Sequence, residues 1–297
     1  MTSEILVIIV TFNGMQWIER CISSVKASTV PADILVIDNA STDGTPQWLQ
    51  RHGVEVIQNS ANIGFGAANN IGLKRVLDQG YAYAYLLNQD AYLLPDTMER
   101  MLEHFDETVY GVLSPIQYDG SGKKMDRNFS KKCKRAIKKS GDDPVANIRF
   151  VMAAHWMISR GCLLNTGGFS PAFKMYGEDD NYCDRARWHG FGVGVVKDAG
   201  GIHDRGQRKD AKDKRMFLKC NASAVHISDP LPGVLLRMIW EPLRLVGIGC
   251  VNFSGAPFRY IGELIGRYKE LLRYRRKSRA RGAFLVETKK ASQKRRH

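Results

Sequence analysis

The sequence predicts an α/β protein with a mostly parallel β-sheet flanked by helices and a basic helical extension toward its C-terminal end. Runs of β-branched residues alternate with segments of helical periodicity, which is the pattern of consecutive βαβ units. The charge is also uneven, because residues 231–297 hold 16 Lys/Arg against 4 Asp/Glu, whereas residues 1–230 hold 28 against 26. We therefore divide the chain into a globular α/β domain, 1–229, and a basic amphipathic extension, 230–297.

The first half contains four segments of strand character with helical segments between them. The strand segments are Ile5–Val10, Ile34–Ile37, Val54–Gln58 and Tyr83–Leu87. The helical segments are Met15–Ser28, Pro46–His52 and Ile63–Gly80. Short apolar strand segments bounded by turn-forming residues are typical of strands buried on both faces. The second half adds a strand at Phe191–Val196, and we interpret the polar, basic segment Gly120–Lys139 as a surface loop.

Length and composition restrict the class of protein. A chain of 297 residues with 44% hydrophobic and 25% charged residues is typical of a globular protein with a sizeable core. The six cysteines are scattered without a CxxC pair, which argues against a zinc site and favours a reducing compartment. The N-terminal residues lack the basic region and the cleavage site of a signal peptide, so we expect a cytoplasmic protein.

Acidic residues follow two of the predicted strands at the points where the strands end. Asp38 comes directly after the second strand, and Asp90 follows the fourth. Ligands of open α/β sheets bind beyond the carboxyl ends of the strands, so we expect both acids to face one crevice. Either acid alone would more often be an ordinary turn or cap residue. Two at the same edge favour a functional site.

A second acidic cluster, Glu178-Asp179-Asp180, stands at the start of a predicted helix, where the helix dipole stabilises carboxylates. Repulsion among adjacent acids raises the pKa of one of them, so Asp179 or Asp180 could act as a base toward a hydroxyl group. Asp90 and the amide of Asn88 offer oxygen ligands of the kind that Mg²⁺ or Mn²⁺ prefers.

Three further features have alternative interpretations. The segment Asn62–Asn69 combines glycines with amide side chains, which is typical of a loop whose backbone approaches a ligand, although a tight turn that caps a helix has the same composition. His203 follows the last predicted strand among glycines and is either a metal or phosphate ligand or a structural residue. His155 lies in an apolar stretch, where burial with a satisfied hydrogen bond is the commoner outcome, and a role at an acceptor site stays open.

The extension carries two apolar segments with basic residues among them. Leu231–Val251 is interrupted by Arg237, Glu241 and Arg244, so it fits an interfacial amphipathic helix better than a membrane span. Within 261–276, one apolar stripe lies opposite the basic residues and consists of Ile261, Leu264, Ile265, Tyr268, Leu271 and Leu272. We expect contact with an anionic membrane surface. Packing on the protein's own core and a dimer interface are the alternatives.

Seven segments have the order and spacing of motifs found in one known family. They are Val7–Asn13 (VIIVTFN), Val36–Gly44 (VIDNASTDG), Asn59–Asn70 (NSANIGFGAANN), Leu86–Pro95 (LLNQDAYLLP), Gly167–Phe173 (GGFSPAF), Tyr176–Arg185 (YGEDDNYCDR) and His203. Together they resemble the family 2 inverting glycosyltransferases of the GT-A fold, and within them the bacterial rhamnosyltransferase-like branch. The resemblance covers about residues 5–205 and implies a Rossmann-like, mostly parallel GT-A sheet.

The resemblance implies a role for each matching residue. The residues implied in nucleotide-sugar binding are Thr11, Asn13, Asp38, Asn39, Asn62, Gly64, Asn69 and Asn88. Asp90 and His203 would hold Mg²⁺ or Mn²⁺ on the donor diphosphate. Asp179 would be the general base, supported by Glu178 and Asp180.

The implied reaction moves a sugar from a nucleotide diphosphate to a glycan or lipid-linked glycan in surface polysaccharide synthesis. Rhamnose from dTDP-rhamnose is the first choice of donor, and UDP-linked hexoses come next. Such an enzyme would lie on the cytoplasmic face of the cell membrane, and it could form oligomers. The chain departs from the family at its metal motif, because Asp-x-Asp is replaced by Asn88-Gln89-Asp90. A single carboxylate predicts weaker metal binding in the absence of substrate.

Two other functions fit parts of the sequence. A sugar nucleotidyltransferase also uses a parallel sheet and metal-binding acids, but it needs a basic phosphate loop after the first strand, and no Lys or Arg precedes Arg20. A nucleic-acid-binding protein would use the basic extension, and its affinity would fall steeply with salt. The extension contains no recognised nucleic-acid motif, so we expect no nucleic acid among the partners.

Overall fold

The computed structural model describes residues 3–206 and 212–285. Its strands are β1 (Ile5–Thr11), β2 (Asp33–Asp38), β3 (Glu55–Gln58), β4 (Tyr83–Asn88), β5 (Ala91–Leu93), β6 (Tyr110–Tyr118), β7 (Val145–Asn147), β8 (His155–Ser159) and β9 (Gly192–His203). Its helices are α1 (Met15–Lys26), α2 (Thr45–Arg51), α3 (Phe65–Gln79), α4 (Thr97–Glu103), α5 (Arg127–Lys139), α6 (Arg160–Thr166), α7 (Glu178–Trp188), α8 (Lys212–Ser228), α9 (Val234–Asn252), α10 (Ala256–Gly266) and α11 (Tyr268–Ser278). The strands and helices predicted for the first half are confirmed, with small shifts at their ends.

The strands form one mixed sheet in the order β3-β2-β1-β4-β8-β6-β9-β5, and β7 pairs with β9. Its first four strands are parallel neighbours, with Val7 of β1 opposite Ile34 on one side and Tyr85 on the other. β8 joins β4 in the antiparallel direction. The strand order reverses between β1 and β4, which is where an open α/β sheet binds its ligand. The predicted α/β sheet flanked by helices is therefore confirmed.

Alternate residues of each central strand are buried on opposite faces of the sheet. In β1, Leu6 and Ile8 pack with residues of α3, α6 and α7. Val7 and Ile9 pack on the other face with residues of α1, α2 and α4. Burial of each such side chain contributes roughly 1.5–3 kcal/mol before conformational entropy is counted. Helices therefore cover both faces of the sheet, and the polar groups that end the strands collect at its carboxyl edge.

The prediction of a loop at Gly120–Lys139 was wrong, because most of this segment forms α5. Asp126 caps the helix, since its Oδ1 atom accepts hydrogen bonds from the backbone N–H groups of Asn128 and Phe129 at 2.9 and 2.8 Å. Phe129 and Cys133, one turn apart, are fully buried against the sheet. These two apolar residues are sparse among basic ones, so the segment resembled a loop. The exposed side of α5 is consequently a surface of Lys and Arg.

Helices α8 to α11 form a second layer with its own apolar cluster, which includes Cys220, Ala224, Leu245, Leu264 and Leu271. The predicted C-terminal helical region is confirmed. The stripe predicted within 261–276 is divided between α10 and α11, and its residues Leu264 and Leu271 are buried in this cluster. That part of the stripe covers the protein's own core, which was the alternative to membrane contact. The division of the chain at 229/230 stays a prediction, and residues 286–297 lie outside the described part.

Polar contacts hold this layer together and fasten it to the sheet domain. Within the layer, Asp229 after α8 is fully buried and binds Arg237 of α9 at 2.5 Å and Arg275 of α11 at 3.5 Å. Between the layer and the sheet domain, Arg267 donates a hydrogen bond to the Ala172 carbonyl at 2.7 Å. Beyond α11 the chain returns to the sheet domain, where the Gly168 N–H donates to the carbonyl of Ala283 at 2.8 Å. Within the described residues, no helix is both long enough and apolar enough to cross a membrane.

Candidate active site

A cavity of about 1350 Å³ opens at the carboxyl ends of β1 and β4 and extends to α5, α7 and α8. The predicted site residues in its lining are Asn13, Asn39, Asn62, Gly64, Asn88, Asp90, Glu178, Asp179, Asp180 and His203. The other three predicted residues, Thr11, Asp38 and Asn69, are buried and lie outside the lining. The structure thus brings the acids after β4 and those of α7 into one cavity, while the role of each residue remains a prediction.

Gln89 joins the loops that follow β1 and β4. Its Oε1 atom accepts hydrogen bonds from the Thr11 hydroxyl group at 2.7 Å and from the Phe12 backbone N–H at 2.9 Å. Its Nε2 atom donates to the Phe12 carbonyl group at 3.3 Å. The Thr11 hydroxyl group therefore donates its hydrogen bond within the protein, to Gln89. Sequence reasoning missed Gln89, whose signal was its place between Asn88 and Asp90.

Asp38 ends β2 and is 1% exposed, so it does not share the crevice with Asp90 in the way expected. Its Oδ2 atom accepts a hydrogen bond from the Ser41 N–H at 3.0 Å, whereas its Oδ1 atom has no hydrogen-bond partner within the described residues. A buried oxygen without a donor is costly, so this atom is suited to accept a hydrogen bond from a ligand. Asn69 donates to the Phe65 carbonyl one turn earlier, at 3.0 Å, and thus stabilises α3.

Amide side chains line the cavity between β2 and α3. Asn39 accepts a hydrogen bond from Asn59 at 2.9 Å, and Asn62 accepts one from the backbone N–H of Gly64 at 3.0 Å. Gly64 has φ = 90°, and an added Cβ atom would lie 2.4 Å from the Lys174 carbonyl oxygen. Glycine is therefore required at this position. The cavity has a wall of fixed amide groups and closely approaching backbone, which suits a nucleotide.

Asp90 and His203 lie side by side just after β4 and at the end of β9, with Oδ1 and Nε2 3.5 Å apart. Both side chains are largely buried and line the cavity. Arg205 Nε–H donates to Nδ1 of His203 at 3.3 Å, which assigns the proton of a neutral imidazole to Nε2, toward Asp90. The Oδ1 atom of Asn88 is buried without a hydrogen-bond partner among the described atoms.

These groups suit a divalent cation that takes most of its ligands from substrate. Asp90 offers a carboxylate, and Asn88 offers an amide oxygen that no described residue uses. In the described ranges, no three His, Cys, Asp or Glu side chains are grouped so as to hold a metal by themselves. The donor set therefore fits Mg²⁺ or Mn²⁺ shared between the protein and substrate phosphates, rather than a metal enclosed by protein ligands alone.

His155 contacts the strand that carries His203. It is fully buried, with Nδ1 3.1 Å from the Tyr85 hydroxyl oxygen and Nε2 3.0 Å from the Ile202 carbonyl oxygen. Burial lowers the pKa of His155 to about 3, so the ring is neutral at pH 7. The expectation of a buried, hydrogen-bonded histidine is confirmed. Its position outside the cavity lining makes it a support for β9.

Glu178, Asp179 and Asp180 form the first turn of α7 and line the cavity. Burial is the main cause that raises the pKa of each carboxyl group to about 7, and the negative charge of a neighbouring acid adds to it. The Asp180 N–H donates to Oδ1 of Asp179 at 3.0 Å and partly offsets the effect there. A carboxyl group that titrates near neutral pH is matched to general acid–base catalysis.

The turn before α7 fixes the position of these acids. Tyr176 and Gly177 both have a left-handed backbone, with φ of 65° and 93°. A Cβ atom at Gly177 would lie 2.9 Å from Nδ2 of Asn221, and this Nδ2 donates to the Tyr176 carbonyl at 2.6 Å. Asn221 belongs to α8, so the C-terminal helical layer positions the acidic cluster. Sequence reasoning missed Asn221, because nothing in the sequence near it marks a partner 45 residues earlier.

Sequence reasoning also missed the basic side of the cavity. The cations in the lining are Lys131, Lys132, Arg135, Lys139, Arg149, Arg205 and Lys214. A signal for α5 was present, since Asp126 is a capping residue and Phe129, Cys133 and Ile137 recur every four residues, as on one face of a helix. The cavity therefore has an acidic part at α7 and a basic part at α5.

The sheet order is that of the GT-A fold, and the cavity lies at the carboxyl edge of this sheet. The chain belongs to glycosyl transferase family 2, whose family model matches residues 6–164. Its activity is therefore glycosyl transfer from a nucleotide-sugar donor. The matched range includes Asp90, while the acids of α7 and His203 lie beyond it.

Three curated relatives carry names that describe their activity. The low-salt glycan biosynthesis hexosyltransferase Agl10 of Haloferax volcanii is 25% identical over 215 residues, which cover 69% of this chain and 68% of the relative. An undecaprenyl-phosphate mannosyltransferase of Micrococcus luteus is 28% identical over 34% of this chain and 43% of the relative. An N-acetylglucosaminyl-diphospho-decaprenol L-rhamnosyltransferase of Mycobacterium tuberculosis is 40% identical over 73 residues, 24% of each chain. The match thus spans less than half of the last two relatives.

Solved structures share the fold at low sequence identity. S. aureus TarS in complex with UDP-GlcNAc superposes with a TM-score of 0.61 and 13% identity, over 90% of this chain and 81% of that one. The mannosyltransferase PcManGT of Pyrobaculum calidifontis, in complex with GDP-Man and Mn²⁺, has a TM-score of 0.57 and 14% identity, over 94% and 87% of the two chains. At these identities the likeness shows the fold alone.

Proposed function

We propose that this glycosyltransferase inverts the configuration of the sugar that it moves and is assisted by Mg²⁺ or Mn²⁺. The observation that carries the proposal is the presence of two separate carboxylate sites in one cavity, Asp90 with Asn88 after β4 and the acids of α7. An inverting transfer needs a site for the leaving diphosphate and, apart from it, a base for the acceptor hydroxyl group. One cavity offers both.

Asp179 is the proposed general base. In its ionised form it takes the proton of the acceptor hydroxyl group while that oxygen bonds to the anomeric carbon and the bond from this carbon to the donor diphosphate breaks. A pKa of about 7 leaves much of Asp179 ionised at neutral pH and still gives it affinity for a proton. Glu178 and Asp180 support it, because their negative charge favours proton uptake nearby.

Asp90 and Asn88 are the proposed holders of the metal, and His203 contacts the metal or the diphosphate. When bound, the cation neutralises the negative charge that develops on the leaving diphosphate. Asn13, Asn39, Asn62 and Gly64 bind the nucleotide in this proposal. Asp38 accepts a hydrogen bond from it, and Thr11 acts through its link to Gln89. Asn69 acts only through the stability of α3.

The proposed donor is dTDP-rhamnose, and UDP-linked hexoses are the next candidates. The relative named as an L-rhamnosyltransferase supports the first choice, and the hexosyltransferase Agl10 supports the second. The test is donor turnover by the purified chain with a panel of dTDP-, UDP- and GDP-sugars, in Mn²⁺, in Mg²⁺ and in EDTA. We expect one donor to be turned over only with metal. Failure of every donor to bind or react, with either metal, would overturn the proposal.

We further propose that the acceptor is a lipid-linked glycan. In this proposal α9 contacts the cytoplasmic face of an anionic membrane. Six large apolar side chains of α9 are more than half exposed: Leu235, Leu236, Ile239, Trp240, Leu243 and Val251. The charges of α9 are engaged on its other side, where Arg237 binds Asp229 at 2.5 Å and Glu241 binds His226 at 2.6 Å. An uncharged outward face on a layer with surplus Lys and Arg fits an anionic lipid surface.

Vesicle flotation tests this contact. The purified chain should float with vesicles that contain phosphatidylglycerol and much less with phosphatidylcholine alone. Leu236→Ser with Trp240→Ser should weaken binding about tenfold or more, because two large apolar side chains are lost. Leu164→Ser with Val109→Ser, two partly exposed residues of the sheet domain, is the control and should bind as wild type. The proposal would be contradicted if the α9 double variant lost a dimer but still bound vesicles, or if the wild-type chain bound DNA more tightly than vesicles.

A further inference from the structure

α5 presents a row of cations toward the cavity. Lys131, Arg135 and Lys139 follow one another at four-residue spacing, are exposed, and line the cavity together. Four-residue spacing keeps them on one side of the helix, and at 1.5 Å per residue the row is about 12 Å long. A row of this length spans more than one phosphate group.

These three cations have no ion pair with any described residue, unlike their neighbours in the cavity. Arg205 lies 3.6 Å from Asp126, and Arg149 lies 3.9 Å from Asp184. Lys132 stacks over the ring of Phe150 at 5.3 Å. Several like charges that lie close together without ion-pair partners make a positive potential on this side of a concave site. The row is therefore built to receive an anion from outside the protein.

The position of the row separates it from the proposed donor site. The N-terminal end of α5 lies near that site, because its cap Asp126 pairs with Arg205, which in turn donates to His203. The strand that follows α5, β7, pairs with Gly194–Val196 of β9, far along this strand from His203 at its end, so the helix leads away from Asp90. Its cations share the cavity with Asp180 and Asp184 of α7. An anion on the row would thus lie on the acceptor side of Asp179.

We infer that Lys131, Arg135 and Lys139 bind a phosphate or diphosphate group carried by the acceptor. This inference rests on the proposed function and adds the chemical class of the acceptor. Lys and Arg bind phosphate through charge-assisted hydrogen bonds, and Arg can do so with two parallel bonds. Holding the anionic group on α5 would present the sugar hydroxyl to Asp179. The phosphate could belong to a lipid diphosphate or to a soluble phosphorylated glycan.

The test is equilibrium binding in EDTA, without donor, to three probes: farnesyl diphosphate, farnesol and inorganic pyrophosphate. Arg135→Gln with Lys139→Gln should weaken farnesyl diphosphate binding about tenfold, since two charge-assisted contacts are lost. Farnesol binding should not change. Lys134→Gln with Lys138→Gln removes two charges from the same helix at residues outside the cavity lining and should have an effect of less than about twofold. If the Arg135 and Lys139 double variant loses pyrophosphate binding to the same extent, the phosphate comes from a soluble source. If pyrophosphate does not bind, the phosphate belongs to a lipid diphosphate.

Equal losses in the two double variants, or none in either, would overturn the inference. So would DNA binding that depends on Arg135 and Lys139 and exceeds the binding of every phosphate probe. Donor binding in Mn²⁺ by the same preparations separates this outcome from failure of the proposed function. Both double variants should bind the donor as wild type does, because neither changes a residue of the proposed donor site.

Discussion

Carboxylates lie at two places in one cavity, in the first turn of α7 and after β4, and their surroundings differ. In the first turn of α7, burial and the charge of Glu178 raise the pKa of Asp179 to about 7. Asp90, after β4, instead has the imidazole of His203 at 3.5 Å and the amide of Asn88 two residues earlier. The same chemical group is thus suited to take up a proton at α7 and to bind a cation after β4.

The type of secondary structure explains the difference. Consecutive residues at a helix start remain within one turn, so α7 crowds three acids together. Asn88 ends β4 and Asp90 lies in the turn before β5, and both line the cavity, so they offer separate oxygens with room for a cation and phosphates. Crowded charge favours proton uptake, and spaced oxygens favour a metal. Substitutions at the two sites should therefore affect catalysis and binding in different ways.

The largest effect is expected from Asp179→Asn. The amide retains an oxygen for the Asp180 N–H, which donates to Asp179 at 3.0 Å, but it cannot take the acceptor proton. Loss of a general base should lower kcat about 10²–10⁴-fold. Donor affinity, measured by calorimetry with Mn²⁺, should stay within about twofold of wild type, because Asp179 does not hold the diphosphate in the proposed mechanism.

Asp180→Asn is the matched control for this substitution. It removes one charge from the same turn without removing the proposed base, so kcat should fall far less. Full turnover by Asp179→Asn, or equal losses in the two variants, would show that Asp179 is not the base.

Asp90→Ala should weaken binding of the donor, whereas Asp179→Asn should lower the rate of catalysis. Without its only carboxylate the proposed metal site keeps an amide and an imidazole, so donor affinity in Mn²⁺ should fall about 10–100-fold. In EDTA, wild type and variant should bind the donor equally weakly. Titration of the donor with and without Mn²⁺ measures both effects. Donor affinity that keeps its full dependence on Mn²⁺ in the variant would contradict the role of Asp90.

The sheet domain could be predicted from its sequence because local pattern and burial agree there. Ile18, Cys21, Ile22 and Val25 are the buried residues of α1 and follow helical spacing in the sequence. The apolar runs in the first half of the sequence likewise predicted where the strands lie. The acids after β4 and at α7 could be placed in one cavity because strand ends and helix starts collect at one edge of such a sheet.

Other features depend on partners that are distant in sequence. Asn70 donates to the Phe169 carbonyl 99 residues later, and Asn221 donates to the Tyr176 carbonyl. No local pattern marks such pairs. Asp38 was expected in the cavity because its strand ends there, but its carboxylate accepts the Ser41 N–H and is buried. Residue type alone could not distinguish these outcomes.

The basic extension shows a third case, in which two amphipathic segments have different surroundings. Leu264 and Leu271 are 1% and 0% exposed, whereas Leu236 and Trp240 are 74% and 63% exposed. Both segments combine apolar residues with basic ones, two Arg in 231–251 and five Lys or Arg in 261–276. Asp229 binds an Arg of each segment, Arg237 of α9 and Arg275 of α11, so the difference in exposure depends on how the helices pack together. Sequence periodicity carries no information on that packing.

Asn88→Asp tests why the site after β4 has a single carboxylate. A second carboxylate would restore the Asp-x-Asp pattern and increase the negative charge available to a cation. Mn²⁺ should then bind in the absence of nucleotide several-fold more tightly than in wild type, since hard cations prefer charged oxygen ligands. Mn²⁺ titration monitored by electron paramagnetic resonance measures this affinity. Asn88→Gln keeps the amide and serves as the control, and no gain in Asn88→Asp would place the metal elsewhere.

The smallest expected effect concerns the pH profile. The proposed base must be ionised, so kcat should rise with pH around a midpoint near 7, the pKa of Asp179. Glu178→Gln leaves burial, the main cause of the raised pKa, and removes the charge of Glu178, the second cause. The midpoint should therefore move to lower pH by about one unit or less. Rates with saturating donor and acceptor between pH 5 and 9 measure the shift.

Glu178→Asp keeps the negative charge and should keep the midpoint of the wild type. The free energy of unfolding provides an independent check. Its dependence on pH is opposite to that caused by an acid whose pKa is lowered on folding. A carboxyl group whose pKa is raised in the folded state binds more protons there than in the unfolded chain, so stability should fall as pH rises from about 4 to about 7. The free energy of unfolding should lose less over this range in Glu178→Gln, which has one raised carboxyl group fewer. A midpoint and a stability profile that are unchanged in Glu178→Gln would show that the acids of α7 do not act on one another, and the contrast with Asp90 would then rest on burial alone.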